Sequence, residues 1–365
     1  MPILRLLTLL MALMAAPVMA LESRQGPLTV ETMAQGLSLP WSIGFLPGGA
    51  VLITEKAGRL WRLDPDGQRR EVTGVGQVAA IGQGGLLDVL VPRDFARSRT
   101  LFFTYAKRQG GGDRAGTAVA RAVLSADGLR LTGWRDIFEM EKGSRGGRHF
   151  GSRLVEARDG TLFVTIGERA DRPSAQDLSR ENGSVIRIAK DGSVPQDNPF
   201  LTTPGAQPEI WSYGHRNPQG AALDVSGRLW LVDHGAKGGD EVNAVKKGAN
   251  YGWPVISYGV HYSGARIGEG TAKPGMEQPA YYWDPSIAPS GMMIYSGWLW
   301  PEWRANIFVG SLKFGHVARL SGTPLALREI IEGPETARVR DIREAPDGAI
   351  WVLSEGNGAL YRITP

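Results

Sequence analysis

Cysteine is absent from the 365 residues, and histidine occurs only five times. No disulfide can staple this fold and no thiolate can hold zinc, so stability must come from burial and ladder hydrogen bonds. None of the five histidines, His149, His215, His234, His261 and His316, stands in an HExxH arrangement, which removes the helical zinc hydrolases. Stripes of apolar residues spaced three and four apart are hard to find after Ala20, so amphipathic helices are not expected. Lys and Arg number 41 against 37 Asp and Glu, a formal charge of +4, and no basic block alternates with aromatics. A nucleic-acid partner therefore has little support. A small anionic ligand remains compatible with the basic excess.

One long apolar run exists, Leu6 to Ala16, between Arg5 and Val18-Met19-Ala20. It is too short for a hydrocarbon core, which takes about 20 residues. Small side chains at 18 and 20 suit signal peptidase. Residues 1–20 read as a signal peptide cleaved after Ala20, an uncleaved anchor being the alternative. Residues 21–365 would then be periplasmic or secreted, with no membrane span after cleavage.

The composition is rich in Gly (49) and Trp (11). A short apolar strand recurs after Gly- or Asp-containing turns: Val51–Thr54, Leu101–Thr104, Leu162–Thr165, Leu229–Val232, Ile307–Gly310 and Ile350–Leu353. Several copies lead into a second strand, as in Arg59–Leu63, Val185–Ile188 and Leu360–Ile363. Six strand-turn-strand units cannot bury their faces as one open sheet, whereas radial stacking buries them. The expectation is an all-β, six-bladed propeller occupying 21–365, with four-stranded antiparallel blades and long loops on one face. The largest insertions fall near 105–160, 166–228 and 233–306.

Within those loops several groups could carry chemistry. His149 sits in Gly146-Gly147-Arg148-His149-Phe150-Gly151, where an imidazole could act as base, although a surface histidine fits the same residues. Arg216 and Asn217 offer a donor fork and a mixed donor-acceptor, but Asn before Pro218 also suits a self-bonded turn. Arg338 and Arg340 would share one strand face by period-two alternation, with Lys313 as a third cation; a solvated face is equally compatible. Gly235-Ala236-Lys237-Gly238-Gly239-Asp240-Glu241 combines free carbonyls with two acids, as a calcium cradle or as a polar turn.

In order along the chain, Pro40-Trp41-Ser42, Gly82-Gln83-Gly84-Gly85-Leu86-Leu87-Asp88, His149-Phe150-Gly151-Ser152-Arg153-Leu154, Ser212-Tyr213-Gly214-His215-Arg216-Asn217-Pro218-Gln219-Gly220, Asp240-Glu241-Val242-Asn243 and Asn250-Tyr251-Gly252-Trp253-Pro254 resemble the soluble aldose sugar dehydrogenases, relatives of soluble quinoprotein glucose dehydrogenase. The resemblance runs from about Leu39 to Thr364. It implies oxidation of aldoses at C1 to lactones by pyrroloquinoline quinone (PQQ) and Ca²⁺, with electrons passed to an external acceptor. By the same resemblance His149 is the base, Arg216 acts with it, and Gln83, His149, Arg216, Asn217, Tyr262, Lys313, Arg338 and Arg340 contact the quinone. Carbonyls of Gly235 and Ala236 would hold the quinone's calcium, and Glu241 and Tyr251 a further one. Two departures stand out: Ala236 replaces a Pro, and Arg148 replaces an Asp that orients the base in the glucose-dehydrogenase branch. A calcium-dependent propeller hydrolase of the lactonase kind and a non-catalytic carbohydrate-binding propeller are the rival readings.

Overall fold

The computed structural model describes residues 21–110 and 114–365; the signal-peptide reading concerns 1–20 and lies outside them. Each recurrent strand is the second strand of an antiparallel blade. The first blade runs Pro40–Phe45, Val51–Glu55, Arg59–Leu63, Arg69–Glu71, and the second Leu86–Leu90, Thr100–Arg108, Arg114–Leu124, Leu131–Glu139. The third uses Leu154–Glu156, Leu162–Ile166, Ser184–Ile188 and Ile210–Ser212; the fourth Pro218–Leu223, Leu229–Asp233, Asp240–Ala244 and Tyr281–Trp283. Pro289–Ile294, Ile307–Ser311, His316–Ser321 and Ala326–Glu332 make the fifth. In the sixth, Val339–Glu344, Ile350–Ser354 and Ala359–Thr364 are joined by the N-terminal strand Gly26–Ala34, which pairs with the last strand and closes the ring.

The second strands were the visible ones for a physical reason. They lie between two neighbours and under adjacent blades, so all five residues are buried in Val51–Glu55, Leu162–Ile166, Ile307–Ser311 and Ile350–Ser354. The turns before three of the second strands are set by aspartates that accept a backbone N–H two residues on: Asp159 from Thr161, Asp224 from Ser226 and Asp347 from Ala349. Segment 105–160, expected as an insertion, is mostly strand, because the second blade has unusually long ones. Among the described residues the one α-helix is Phe95–Ser98, and no helix is long and apolar enough to cross a membrane.

First strands of successive blades pack on one another around the ring, the sixth against the first. Where they converge, two aspartates and two arginines form a buried square. Arg153 places Nη1 3.1 Å from Asp88 and Nη2 3.0 Å from Asp341, the latter within ion-pair range though off the hydrogen-bond axis. Arg343 reaches Asp88 at 2.7 Å and Asp341 at 3.0 Å. Ser42 adds a hydroxyl to Asp88. Four blades thus share one charge network, whose members must all be present because an unpaired buried charge is costly. Gln219 links this network to the open side of the ring: its carbonyl accepts from Arg153 and its Oε1 from Arg340.

Candidate active site

His149 occupies the turn just before the third blade, with φ at 54°. A left-handed backbone is uncommon for a residue with a side chain, and several contacts hold it. Gln83 Oε1 accepts the His149 N–H at 2.7 Å. Gly82 crosses Gly147 so closely that a Cβ would meet the Gly147 carbonyl at 2.5 Å, which only glycine permits. Arg169, buried, donates to the carbonyls of Arg148 and Gly146 and lies over the Phe150 ring. The buried Glu168 sets Oε2 2.8 Å from His149 Nδ1. This carboxylate holds the imidazole where Arg148 cannot, so Nε2 is the ring nitrogen left for a substrate. Burial lowers the His149 pKa, with Glu168 opposing and Arg216 assisting, so the ring is a neutral acceptor at neutral pH.

His149 forms part of the wall of a cavity of about 920 Å³. Six cations line it, Lys56, Arg216, Lys237, Lys313, Arg338 and Arg340, against one carboxylate, Glu355. Such a field suits a ligand carrying several carboxylates. Glu355 accepts from Arg338 Nη2 at 3.0 Å and Arg340 Nε at 3.0 Å. Against the burial that would raise it, Arg340 and then Arg338 hold its carboxyl below the usual range. The two arginines are therefore drawn together by Glu355, and strand alternation is not the cause. Arg338 lies at φ 47°, one residue before the strand Val339–Glu344, and Arg340 sits in a register shift of that strand.

Arg216 and Asn217 owe their position to Asp233, whose carboxylate accepts both backbone N–H groups, at 2.8 and 2.6 Å. Asn217 Oδ1 in turn accepts from Gly151, tying this turn to the His149 loop. Burial first, and Arg216 second, push the His234 pKa down to about 3, so its ring is neutral. Arg216 Nε, His234 Nε2 and Glu168 Oε1 are buried without partners among the described residues, an arrangement that a polar ligand would complete.

The 235–241 loop was expected to offer two acids, and one of them is committed elsewhere. Asp240 accepts from Gly235 N (2.7 Å), Ser286 Oγ (2.7 Å), Ile287 N (2.7 Å) and Ala288 N (3.0 Å), pinning two loops together. The loop folds so tightly that a Cβ on Gly235 would meet the Gly238 carbonyl at 2.1 Å. Gly235 and Ala236 line the large cavity, and among the described residues no hydrogen bond ends on either carbonyl. Glu241 and Tyr251 lie instead on a small neighbouring cavity, which shares Arg216, His234 and Gly235 as walls. Burial pushes the Glu241 carboxyl up to about 8, and its partner is the Asn243 amide; a cation beside it would reverse that shift. The Tyr251 hydroxyl is spent, donating to Ala244 O and accepting from Lys246 N, which leaves only its carbonyl for a metal. Among the described residues no three His, Cys, Asp or Glu cluster for a metal. A donor set of carbonyls plus one carboxylate fits calcium, which takes oxygen ligands, better than a transition metal.

Ten of the twelve residues singled out from sequence thus meet on one cavity: Gln83, His149, Arg216, Asn217, Gly235, Ala236, Tyr262, Lys313, Arg338 and Arg340. Sequence reasoning missed Lys56, Glu168, Asp233, His234, Lys237 and Glu355. A usable signal existed. Second strands end at Glu55, Ile166, Asp233, Ser311 and Ser354, and Lys56, Glu168, His234, Lys313 and Glu355 follow within two residues of those ends. Antiparallel blades in a ring carry every second strand toward the same rim, so equivalent positions converge.

The family model for glucose/sorbosone dehydrogenases matches residues 37–362. The aldose sugar dehydrogenase YliI of Escherichia coli (strain K12) is 41% identical over 355 residues, 95% of this chain and 95% of its own. The crystal structure of the soluble aldose sugar dehydrogenase from Escherichia coli in the apo-form matches with a TM-score of 0.89 at 40% identity, over 93% of this chain and 99% of that one. The PQQ-bound aldose sugar dehydrogenase from Streptomyces coelicolor matches with a TM-score of 0.75 at 26% identity, over 92% and 98%.

Proposed function

The chain belongs to the glucose/sorbosone dehydrogenase family of oxidoreductases, and on that premise we propose that it oxidises aldose sugars at C1 to lactones, using PQQ and Ca²⁺. The observation that carries this reading is the joint placement of a neutral, oriented imidazole and six cations on one cavity. PQQ when bound supplies the two-electron acceptor for the C1 hydride, and calcium the Lewis acid that polarises it.

The chain's own residues do the rest. His149 Nε2 takes the proton of the C1 hydroxyl, and Glu168 stabilises the imidazolium that forms and keeps the ring in the required tautomer. Arg216, buried and held from behind by Asp233, presents a fixed guanidinium to charge developing beside the reacting carbon. Lys56, Lys313, Arg338 and Arg340 would hold the carboxylates of the cofactor, and Gln83 and Asn217 its polar edge. Tyr262, largely exposed, would close over it. Carbonyls of Gly235 and Ala236 would hold the calcium, with Glu241 and the Tyr251 carbonyl nearby. Residues 1–20 would direct export, and an external acceptor would receive the electrons. A lactonase would use the metal and a base but would leave the cation cluster without a purpose.

Reconstitution of the protein with PQQ and Ca²⁺ should produce aldose-dependent dye reduction, and His149→Ala should lower kcat by roughly 10²–10⁴-fold while retaining cofactor binding. Equal turnover in that variant would remove His149 from the reaction. Ester or lactone hydrolysis by calcium-loaded protein without quinone would replace the dehydrogenase reading with the hydrolase one.

A further inference from the structure

We infer that the aldose taken at this site bears an anionic group remote from C1, a refinement that rests on the dehydrogenase reading above. Beside His149 lies a second cavity, of about 470 Å³, which shares Gln83, Arg216 and Tyr262 with the larger one. It adds two guanidinium groups, Arg148 and Arg172, that the larger cavity does not include. The basic groups are thus divided. Six cations line the larger space, enough for a cofactor with several carboxylates, while Arg148 and Arg172 line the smaller space beside His149 and not the larger one.

Among the described residues no carboxylate stands within ion-pair distance of either arginine. Among the described residues the one carboxylate lining the smaller cavity is Glu168, which is held through Oε2 by His149 Nδ1 and the Ala170 N–H and forms no ion pair with either arginine, so three arginines line this cavity against one acid. Asp171, next to Arg172, pairs with Arg180 at 2.8 Å. Arg172 instead donates to His261 Nδ1 at 2.9 Å and stands 5.8 Å from the Trp253 ring centroid, contacts that fix the guanidinium while keeping its charge. A neutral sugar would leave both arginines without a counter-charge. A carboxylate or phosphate oxyanion matches the planar donor fork in a bidentate way. In a hexopyranose C6 is exocyclic on C5, across the ring oxygen from C1, so an anion there leaves the C1 hydroxyl free for His149 Nε2, and hexuronic acids and aldose 6-phosphates are the fitting classes. The anion is a handle: the C1 hydride and hydroxyl proton leave as before, and the remote group is unchanged in the lactone.

Methyl β-D-glucuronide and methyl β-D-glucoside have no free C1 hydroxyl, so their binding to the calcium- and PQQ-loaded enzyme can be measured by calorimetry without turnover. The glucuronide should bind at least tenfold more tightly in low salt. That advantage should shrink as salt screens the charges and fall below threefold in the Arg148→Ser/Arg172→Ser double variant. Equal binding of the two glycosides, failure of the glucuronide to bind, or an advantage indifferent to salt in the unaltered enzyme would overturn the inference, even if the double variant does not fold. Comparing kcat/KM for glucuronate and glucose 6-phosphate against glucose identifies which anion is preferred. Absence of any aldose oxidation would defeat the dehydrogenase reading, while the glycoside comparison would still decide the charge preference.

Discussion

Burial makes His149 a weaker base than free imidazole, and that sets the acid side of the reaction. Because its pKa lies below 6.5, the neutral form persists at neutral pH, and activity should fall only as pH drops through that lowered value. Glu168 works in the opposite direction, raising the proton affinity of the ring. Glu168→Gln should therefore move the acidic limb of the pH–rate profile to lower pH. It should also reduce kcat by about tenfold or more through lost imidazole orientation. Steady-state profiles of kcat and kcat/KM for both proteins check this; an unshifted limb would mean that the carboxylate does not act on the base. The same sign applies to folding. Below pH 6.5 the unfolded chain binds the proton that buried His149 resists, so this group withdraws stability as pH falls.

Among the elements, the 235–240 loop takes its shape largely from a single side chain. Asp240 receives four donors from two loops, and an amide in its place would turn an NH₂ toward backbone N–H groups. Asp240→Asn should cost about 2–4 kcal/mol of stability and weaken calcium binding by roughly tenfold or more, read by urea denaturation and calcium titration calorimetry. Calcium affinity equal to that of the unaltered protein would place the ion elsewhere. Chelation of the unaltered protein should lower Tm by a few degrees, since a cation at about 100 times its Kd adds about 2.7 kcal/mol. Re-addition of Ca²⁺ should restore it.

Across the whole molecule the ring is closed by pairing of the strand Gly26–Ala34 with the last strand, Thr29 opposite Thr364 and Thr32 opposite Tyr361. Leu28, in that closing strand, is packed into the cluster that holds Trp303, Phe308 and Val352 between the fifth and sixth blades. Leu28→Ala should cost about 2–5 kcal/mol, measured by urea unfolding, and a change under 1 kcal/mol would show that the closing strand contributes little. The closing strand was not legible beforehand because it lies away from the ring's centre, flanked only by the short strand Leu21–Ser23, largely exposed or half-exposed and with no apolar run. Glu168 and Glu355 were not legible because the functional residues each acts on are 15 or more positions away, and nothing in their own neighbourhood marks them.

What the chain order alone determined is the repeat: six apolar second strands, doubly buried and so written in apolar residues, and the turn aspartates that separate them. It also determined which loops carry the unusual polar residues, because Gly-rich and Asn-Pro segments have local conformational needs that can be read in place. Only the tertiary structure decided which of those loops meet. Ring closure carries equivalent strand ends to one rim, and there Glu355 gathers two arginines, Asp233 fixes Arg216, and Glu168 sets the tautomer of His149. Those pairings are made within single blades, between the approach to the first strand and the end of the second, 15–19 residues apart in sequence, where no local pattern marks them.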